Sequence, residues 1–159
     1  MRSRSSQPNR VQQVPLVDGE ATLELGRKLG RSLPPNSIIL LLGDLGAGKT
    51  TLVQGLAEGL GIDEPILSPT FALISEYPEG KIPLYHLDLY RLQPGETAEL
   101  YPEIYWEGVE VDPGITAIEW AQRLPDKPPA YLEVRLDYTP NGQRLATLTG
   151  VGMELDFGV

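Results

Sequence analysis

Leu25, Leu29 and Leu33 recur every four residues behind Asp18, the spacing of a buried stripe on a helix that opens on an Asp cap. Pro34-Pro35 ends that helix, because proline cannot continue it. Ile38-Ile-Leu-Leu-Leu42 follows without a polar residue; such a run predicts a strand covered on both faces, as in a parallel sheet with helices on each side. A glycine-rich stretch comes next, and from Lys49 the apolar positions Leu52, Val53, Leu56 and Leu60 return to helical spacing until Gly61 supplies a stop. The glycines therefore lie between a strand and a helix.

Further on, Phe71 to Tyr77 and Ile82 to Leu87 read as strands joined by the turn Pro78-Glu-Gly80, which predicts a hairpin. Pro94 to Leu100 reads as a short helix, with proline in the first turn and Glu96 and Glu99 nearby. Tyr101 to Pro113 has no legible period. Ile115 to Glu119 is a second buried-strand pattern, and Tyr131 to Tyr138 and Arg144 to Thr149 flank the turn Pro140-Asn-Gly142. The expected architecture is α/β: three layers, with a central, mostly parallel or mixed sheet flanked by helices.

The chain has 159 residues, enough for one sheet and its helices but not for two full cores. The reading is a disordered segment over 1–12 and a single domain over 13–159. With 41% hydrophobic and 22% charged residues the composition is that of a globular protein, and no apolar run approaches the roughly 20 residues that span a bilayer. No membrane association is expected. The absence of cysteine rules out disulfides, thiolate metal sites and thiol catalysis. The first ten residues lack the apolar stretch of a secretory signal, so the expected location is the cytoplasm, although an Arg/Ser-rich opening also suits a degenerate transit segment.

The net charge is −9, and from Val11 onward 10 basic residues face 22 acidic ones. That balance suits a nucleic-acid backbone poorly, because such affinity comes mostly from Lys and Arg neutralising phosphates. If the protein serves RNA, a partner is expected to hold it.

Gly43-Asp-Leu-Gly-Ala-Gly-Lys-Thr50 fits G-x-x-x-x-G-K-[ST], with the strand before it and the helix after it that the chemistry requires. Glycines let successive N–H groups turn toward phosphate oxygens, and the helix N-terminus adds partial positive charge. The nucleotide-binding set read here is Asp44, Leu45, Gly46, Ala47, Gly48, Lys49, Thr50 and Thr51. Lys49 would reach the β and γ phosphates of ATP, and the Thr50 hydroxyl would bind Mg²⁺.

Hydrolysis also needs an acid at the metal and a group that orients water. Asp88 and Glu119 each end an apolar strand, at the sheet edge where ligands gather in open α/β folds; the alternative is two solvated acids. Thr70, in Ser68-Pro-Thr-Phe71, either caps a turn or belongs to a segment that senses the γ-phosphate. His86, the only histidine, reads as a packed core residue rather than a catalyst. Arg91 approaches the phosphates or pairs with an acid, and Trp120 is core or contact surface.

Taken together, Gly43 to Thr51, Ser68-Pro-Thr-Phe71, His86-Leu-Asp-Leu-Tyr-Arg-Leu92 and Ile118-Glu-Trp120 closely resemble the TsaE (formerly YjeE) family, from about Leu16 to Thr149. The resemblance implies a compact P-loop ATPase of bacterial tRNA threonylcarbamoyladenosine synthesis. Such a protein hydrolyses ATP to reset the TsaD-TsaB pair, which modifies an adenosine beside the anticodon of ANN-reading tRNAs. By the same resemblance Thr50 and Glu119 are metal ligands, Asp88 is the acid near metal and water, Thr70 belongs to the nucleotide-sensing loop and Trp120 lies beside the nucleotide. The tRNA would be reached indirectly, through the partners. The chain departs from the family's pattern at Glu99 to Trp106 and at Gly142-Gln-Arg144, where the family commonly has Gly-Arg close to the nucleotide, so the resemblance makes Arg144 only a weak candidate there.

Two other classes compete. A small-molecule kinase would use the same loop, but such enzymes surround the transferred phosphate with arginines, and beyond the loop only Arg91, Arg123, Arg135 and Arg144 are present. A binding module with incidental hydrolysis would not respond to partners. A GTPase would need N-K-x-D, and Asn9, Asn36 and Asn141 do not sit in one.

Overall fold

A computed structural model describes residues 10–43, 46–66, 73–107 and 109–153. The first element is a strand, β1 (Arg10–Leu16), followed by α1 (Gly19–Ser32). Asp18 caps α1 as its position suggests, its carboxylate accepting from the Ala21 N–H at 2.8 Å. β2 (Ile38–Gly43) runs into the glycine-rich loop and α2 (Lys49–Gly59) leaves it. Then come β3 (Ile74–Tyr77), β4 (Leu84–Asp88), the short helices α3 (Pro94–Glu99) and α4 (Ile104–Glu107), β5 (Ile115–Glu119), a 3₁₀ turn at Ala121–Arg123, β6 (Tyr131–Tyr138) and β7 (Arg144–Val151).

The seven strands form one sheet in the order β1-β7-β6-β2-β5-β4-β3. β4, β5, β2 and β6 are parallel neighbours, while β3, β7 and β1 join antiparallel at the two sides. The fold is thus α/β with a mixed sheet, and β3 and β4 form the expected hairpin. Alternation along β2 divides the core: Ile39 and Leu41 pack with Leu29, Leu52, Val53 and Leu56 under α1 and α2. Ile38 and Leu40 face the other way, toward Tyr85, Leu87, Tyr105 and Ile118. Each such buried side chain contributes about 1.5–3 kcal/mol. No helix among the described residues is long and apolar enough to cross a membrane.

Two features differ from the sequence reading. β1 begins at Arg10, inside the 1–12 segment read as disordered. Its apolar positions are sparse, and its backbone bonds are supplied by β7 with Arg10 opposite Gly150, a partner more than a hundred residues away. Within the illegible 101–113 stretch, α4 turns Tyr105 onto Tyr85, ring centroids 5.0 Å apart.

The packing of α1 against α2 is close. A Cβ added to Gly26 or Gly30 would collide with the carbonyl of Leu52 or Leu56, and one added to Gly55 or Gly59 with that of Leu23 or Arg27. The helices therefore touch backbone to backbone. Arg27 also bridges them on the surface, donating to Glu58 at 2.6 Å, but an exposed pair of this kind adds little.

Candidate functional site

α2 starts where the glycine-rich loop ends. Gly48, its N-terminal cap, has φ +104°, a left-handed conformation that favours glycine. Lys49, next in the chain, is buried, and its Nζ donates to the Gly43 carbonyl at 2.8 Å while lying 4.8 Å from the centre of the Trp120 ring. An ammonium over an indole face is attracted by the ring's quadrupole. The outward N–H groups of the first helical turn and the Lys49 charge point into one cavity of about 330 Å³.

Two strand ends complete it. Parallel pairing of β4 with β5 sets Asp88 directly beside Glu119, and each is only 4% exposed, so neither is a solvated acid at a strand end. One Asp88 oxygen accepts from the Tyr90 N–H at 3.0 Å. Glu119 is 2.6 Å from the ring of His86, itself fully buried. The cavity is lined by Gly46, Gly48, Lys49, Thr50 and Thr51 from the loop and α2, and by Asp88, Tyr90, Glu119, Trp120 and Arg144 from the sheet side.

Of the residues singled out in sequence, Gly46, Gly48, Lys49, Thr50, Thr51, Asp88, Glu119 and Trp120 share this cavity. Ala47 sits in the same loop with its side chain turned into the core, so only its backbone is available. Asp44, Leu45 and Thr70 lie outside the described residues. Arg91 is exposed and does not line the cavity. Arg144, which the resemblance offered only as a weak candidate near the nucleotide, starts β7 and lines the cavity, whereas Tyr90, which packs on Trp120 with ring centroids 4.8 Å apart, enters from an element that sequence spacing does not connect to the loop. Tyr138, at the end of β6, donates its hydroxyl to the Gly46 carbonyl at 3.0 Å, with the Arg144 guanidinium 5.8 Å from its ring. Aromatic residues around Trp120 were the one signal, and in sequence they look the same as core.

Trp120 has φ +59°, uncommon for a bulky side chain and a sign of local strain. The turn it makes directs the chain out of β5 immediately after Glu119, so the acid faces the loop while the indole covers Lys49. A larger cleft of about 430 Å³ lies across the sheet, lined in part by Leu40, Leu42, Glu133 and Arg135. Its acids are Glu133 and Asp137, and it has neither Lys49 and Thr50 nor the helix N-terminus, so chemistry rather than size selects the smaller cavity.

The donors facing one another here are two carboxylates and the Thr50 hydroxyl, all hard oxygen ligands. Magnesium suits such a set, because it takes one or two carboxylates and completes its shell with water and phosphate. Among the described residues no three His, Asp or Glu side chains converge into a protein-only cage.

Comparison with known proteins bears on the family. A family model described as threonylcarbamoyl adenosine biosynthesis protein TsaE matches residues 16–146. A tRNA threonylcarbamoyladenosine biosynthesis protein TsaE from a Nostoc species is 63% identical over 134 residues, 84% of this chain and 83% of that one. The protein of that name from Bacillus subtilis is 37% identical over 137 residues, 86% and 84% of the two chains. The crystal structure of Bacillus subtilis YdiB superposes with a TM-score of 0.74 at 31% identity, covering 92% of this chain and 89% of that one. On the family match and these identities, the chain belongs to the TsaE family of threonylcarbamoyl adenosine biosynthesis proteins.

Proposed function

We propose that this protein is a cytoplasmic, Mg²⁺-dependent ATPase that drives turnover of a TsaD-TsaB pair during threonylcarbamoyladenosine modification of ANN-reading tRNAs. The observation that carries the ATPase reading is that Lys49, Thr50, Asp88 and Glu119, from three separate elements, line one cavity at the start of α2. Family membership supports the pathway.

In this reading the loop N–H groups and the α2 N-terminus receive the phosphates. Lys49 has three N–H donors and one is used on Gly43; the others serve the β and γ oxygens, where positive charge offsets what develops as the terminal bond breaks. Thr50, Glu119 and Asp88 would hold Mg²⁺, which when bound neutralises phosphate charge. Asp88 and Glu119 repel one another when both are ionised, and a bound divalent cation would offset that repulsion. Asp88, which accepts from the Tyr90 N–H, is the acid that would orient the attacking water. Trp120 lies beside the nucleotide and excludes solvent from Lys49. One arginine, Arg144, lines the cavity among the described residues, fewer than a kinase that grips a transferred phosphate would use.

The test is ATP hydrolysis by the purified protein, alone and with the TsaD-TsaB pair, beside Lys49→Ala. Stimulation by the pair that disappears in the variant is the expected result. Wild-type turnover in Lys49→Ala would overturn the site, and hydrolysis indifferent to the pair would overturn the coupling.

A further inference from the structure

We infer that His86 is a positioning residue, which holds the Glu119 carboxylate in the orientation that meets the metal; the inference rests on the reading of Glu119 as a Mg²⁺ ligand. His86 sits in the middle of β4 and is 0% exposed. Strand alternation puts it on the same face as Asp88, two residues on. Directly across the ladder is Ala117 of β5, two residues before Glu119. Because Ala117 is small, the imidazole can lean over it, and Nε2 reaches Glu119 Oε2 on the diagonal at 2.6 Å.

The direction of that bond follows from the acceptor. An ionised carboxylate only accepts, so Nε2 carries the proton and donates. Nδ1 has no partner among the described residues. The ring therefore makes one polar contact, and that contact is with Glu119. Packing alone does not call for a ring nitrogen here, since an apolar side chain would fill the space between Leu84 and the cavity without bringing an unmatched polar atom. What the imidazole adds is a fixed Glu119: one lone pair of Oε2 is engaged behind the site, leaving the rest of the carboxylate toward Thr50 and Asp88. Outer partners of this kind orient metal-binding carboxylates, and their loss lowers metal affinity about 10- to 100-fold.

The experiment measures binding of a fluorescent ADP analogue as Mg²⁺ is titrated, and again in EDTA, for the wild type, His86→Leu, His86→Asn, His86→Gln and Glu119→Ala. Leu has no donor, Asn is too short to reach Glu119, and the Gln amide nitrogen extends to about where Nε2 stands. The expected result is a Mg²⁺ midpoint raised about 10- to 100-fold in the Leu and Asn variants, unchanged nucleotide affinity in EDTA, and recovery of most of the loss in His86→Gln. A folded Leu or Asn variant with the wild-type midpoint overturns the inference, as does a Gln variant no better than Leu. If His86→Leu does not fold, the Asn and Gln pair decides. A wild-type midpoint in Glu119→Ala removes the metal-ligand reading itself, whereas an impaired Glu119→Ala beside normal His86 variants removes only the positioning role.

Discussion

Gly55 lies inside α2, one turn from the helix's end, and helix propensity alone predicts that Gly55→Ala stabilises the protein by about 1 kcal/mol. The packing of α1 on α2 reverses that sign. An added Cβ would meet the Leu23 carbonyl oxygen, with the carbonyl carbon at 2.9 Å and Cα at 3.0 Å. All three atoms are backbone, so no rotamer can move aside, and the helices must separate by roughly 1 Å to reach ordinary contact at about 3.5–4.0 Å. Overpacking of this kind costs about 1–3 kcal/mol. With a rigid neighbour the upper end applies, and subtracting the propensity gain leaves a loss of about 2 kcal/mol, or about 4–8 °C in Tm for a chain of this size. Gly19, at the start of α1, has nothing within 4 Å of an added Cβ, and Gly19→Ala is expected to leave stability within about 0.5 kcal/mol. Urea denaturation of both variants measures the difference. A Gly55→Ala protein more stable than wild type would refute the close approach of the helices. Because α2 also carries Lys49 and Thr50, the same variant should bind nucleotide more weakly.

Replacing Asp88 or Glu119 by alanine should leave a folded protein that no longer supports tRNA modification in cells; normal modified-nucleoside levels by mass spectrometry would remove their proposed roles. Lys49→Ala should reduce hydrolysis at least 100-fold, since a fixed charge on the developing transition state is worth about 2.7–4 kcal/mol, and a phosphate-release assay reads this directly. The tyrosine pair predicts a pH effect: burial, then the nearby Glu76 carboxylate, raises both Tyr85 and Tyr105 above the usual 10.0. Below pH 10 both states are protonated and the stabilisation is complete. Above it the unfolded chain loses these protons first, so stability falls as pH rises through the folded values. Denaturation midpoints between pH 9 and 11 should therefore drop less steeply in Tyr85→Phe and Tyr105→Phe, and an unchanged slope would contradict the shift.

Local pattern was enough for those parts of the protein whose physics is local. The apolar run at β2, the glycines and the Lys-Thr pair mark a strand, a tight loop and a helix N-terminus within twenty residues, because turn geometry and helix capping are set by near neighbours. The acids at Asp88 and Glu119 were legible for the same reason, as charges ending apolar strands, and the family resemblance followed from motifs that are contiguous. Thr70, Asp44 and Leu45 stay expectations from sequence.

Pairing between distant segments decided the rest. β1 is a strand because β7 offers it a backbone edge, and no periodicity within Arg10–Leu16 announces that partner. Parallel register, which slips by two residues without changing which side chains face the core, is what sets Asp88 beside Glu119 and His86 beside Ala117; a shift of that size would have separated the acids and left the imidazole facing another residue. Only packing shows Gly26, Gly30, Gly55 and Gly59 each against a carbonyl of the facing helix. A sequence specifies how each residue prefers to turn, but which buried atoms meet depends on the register and separation of elements far apart in the chain, and those are settled only when the whole sheet and its helices close on one another.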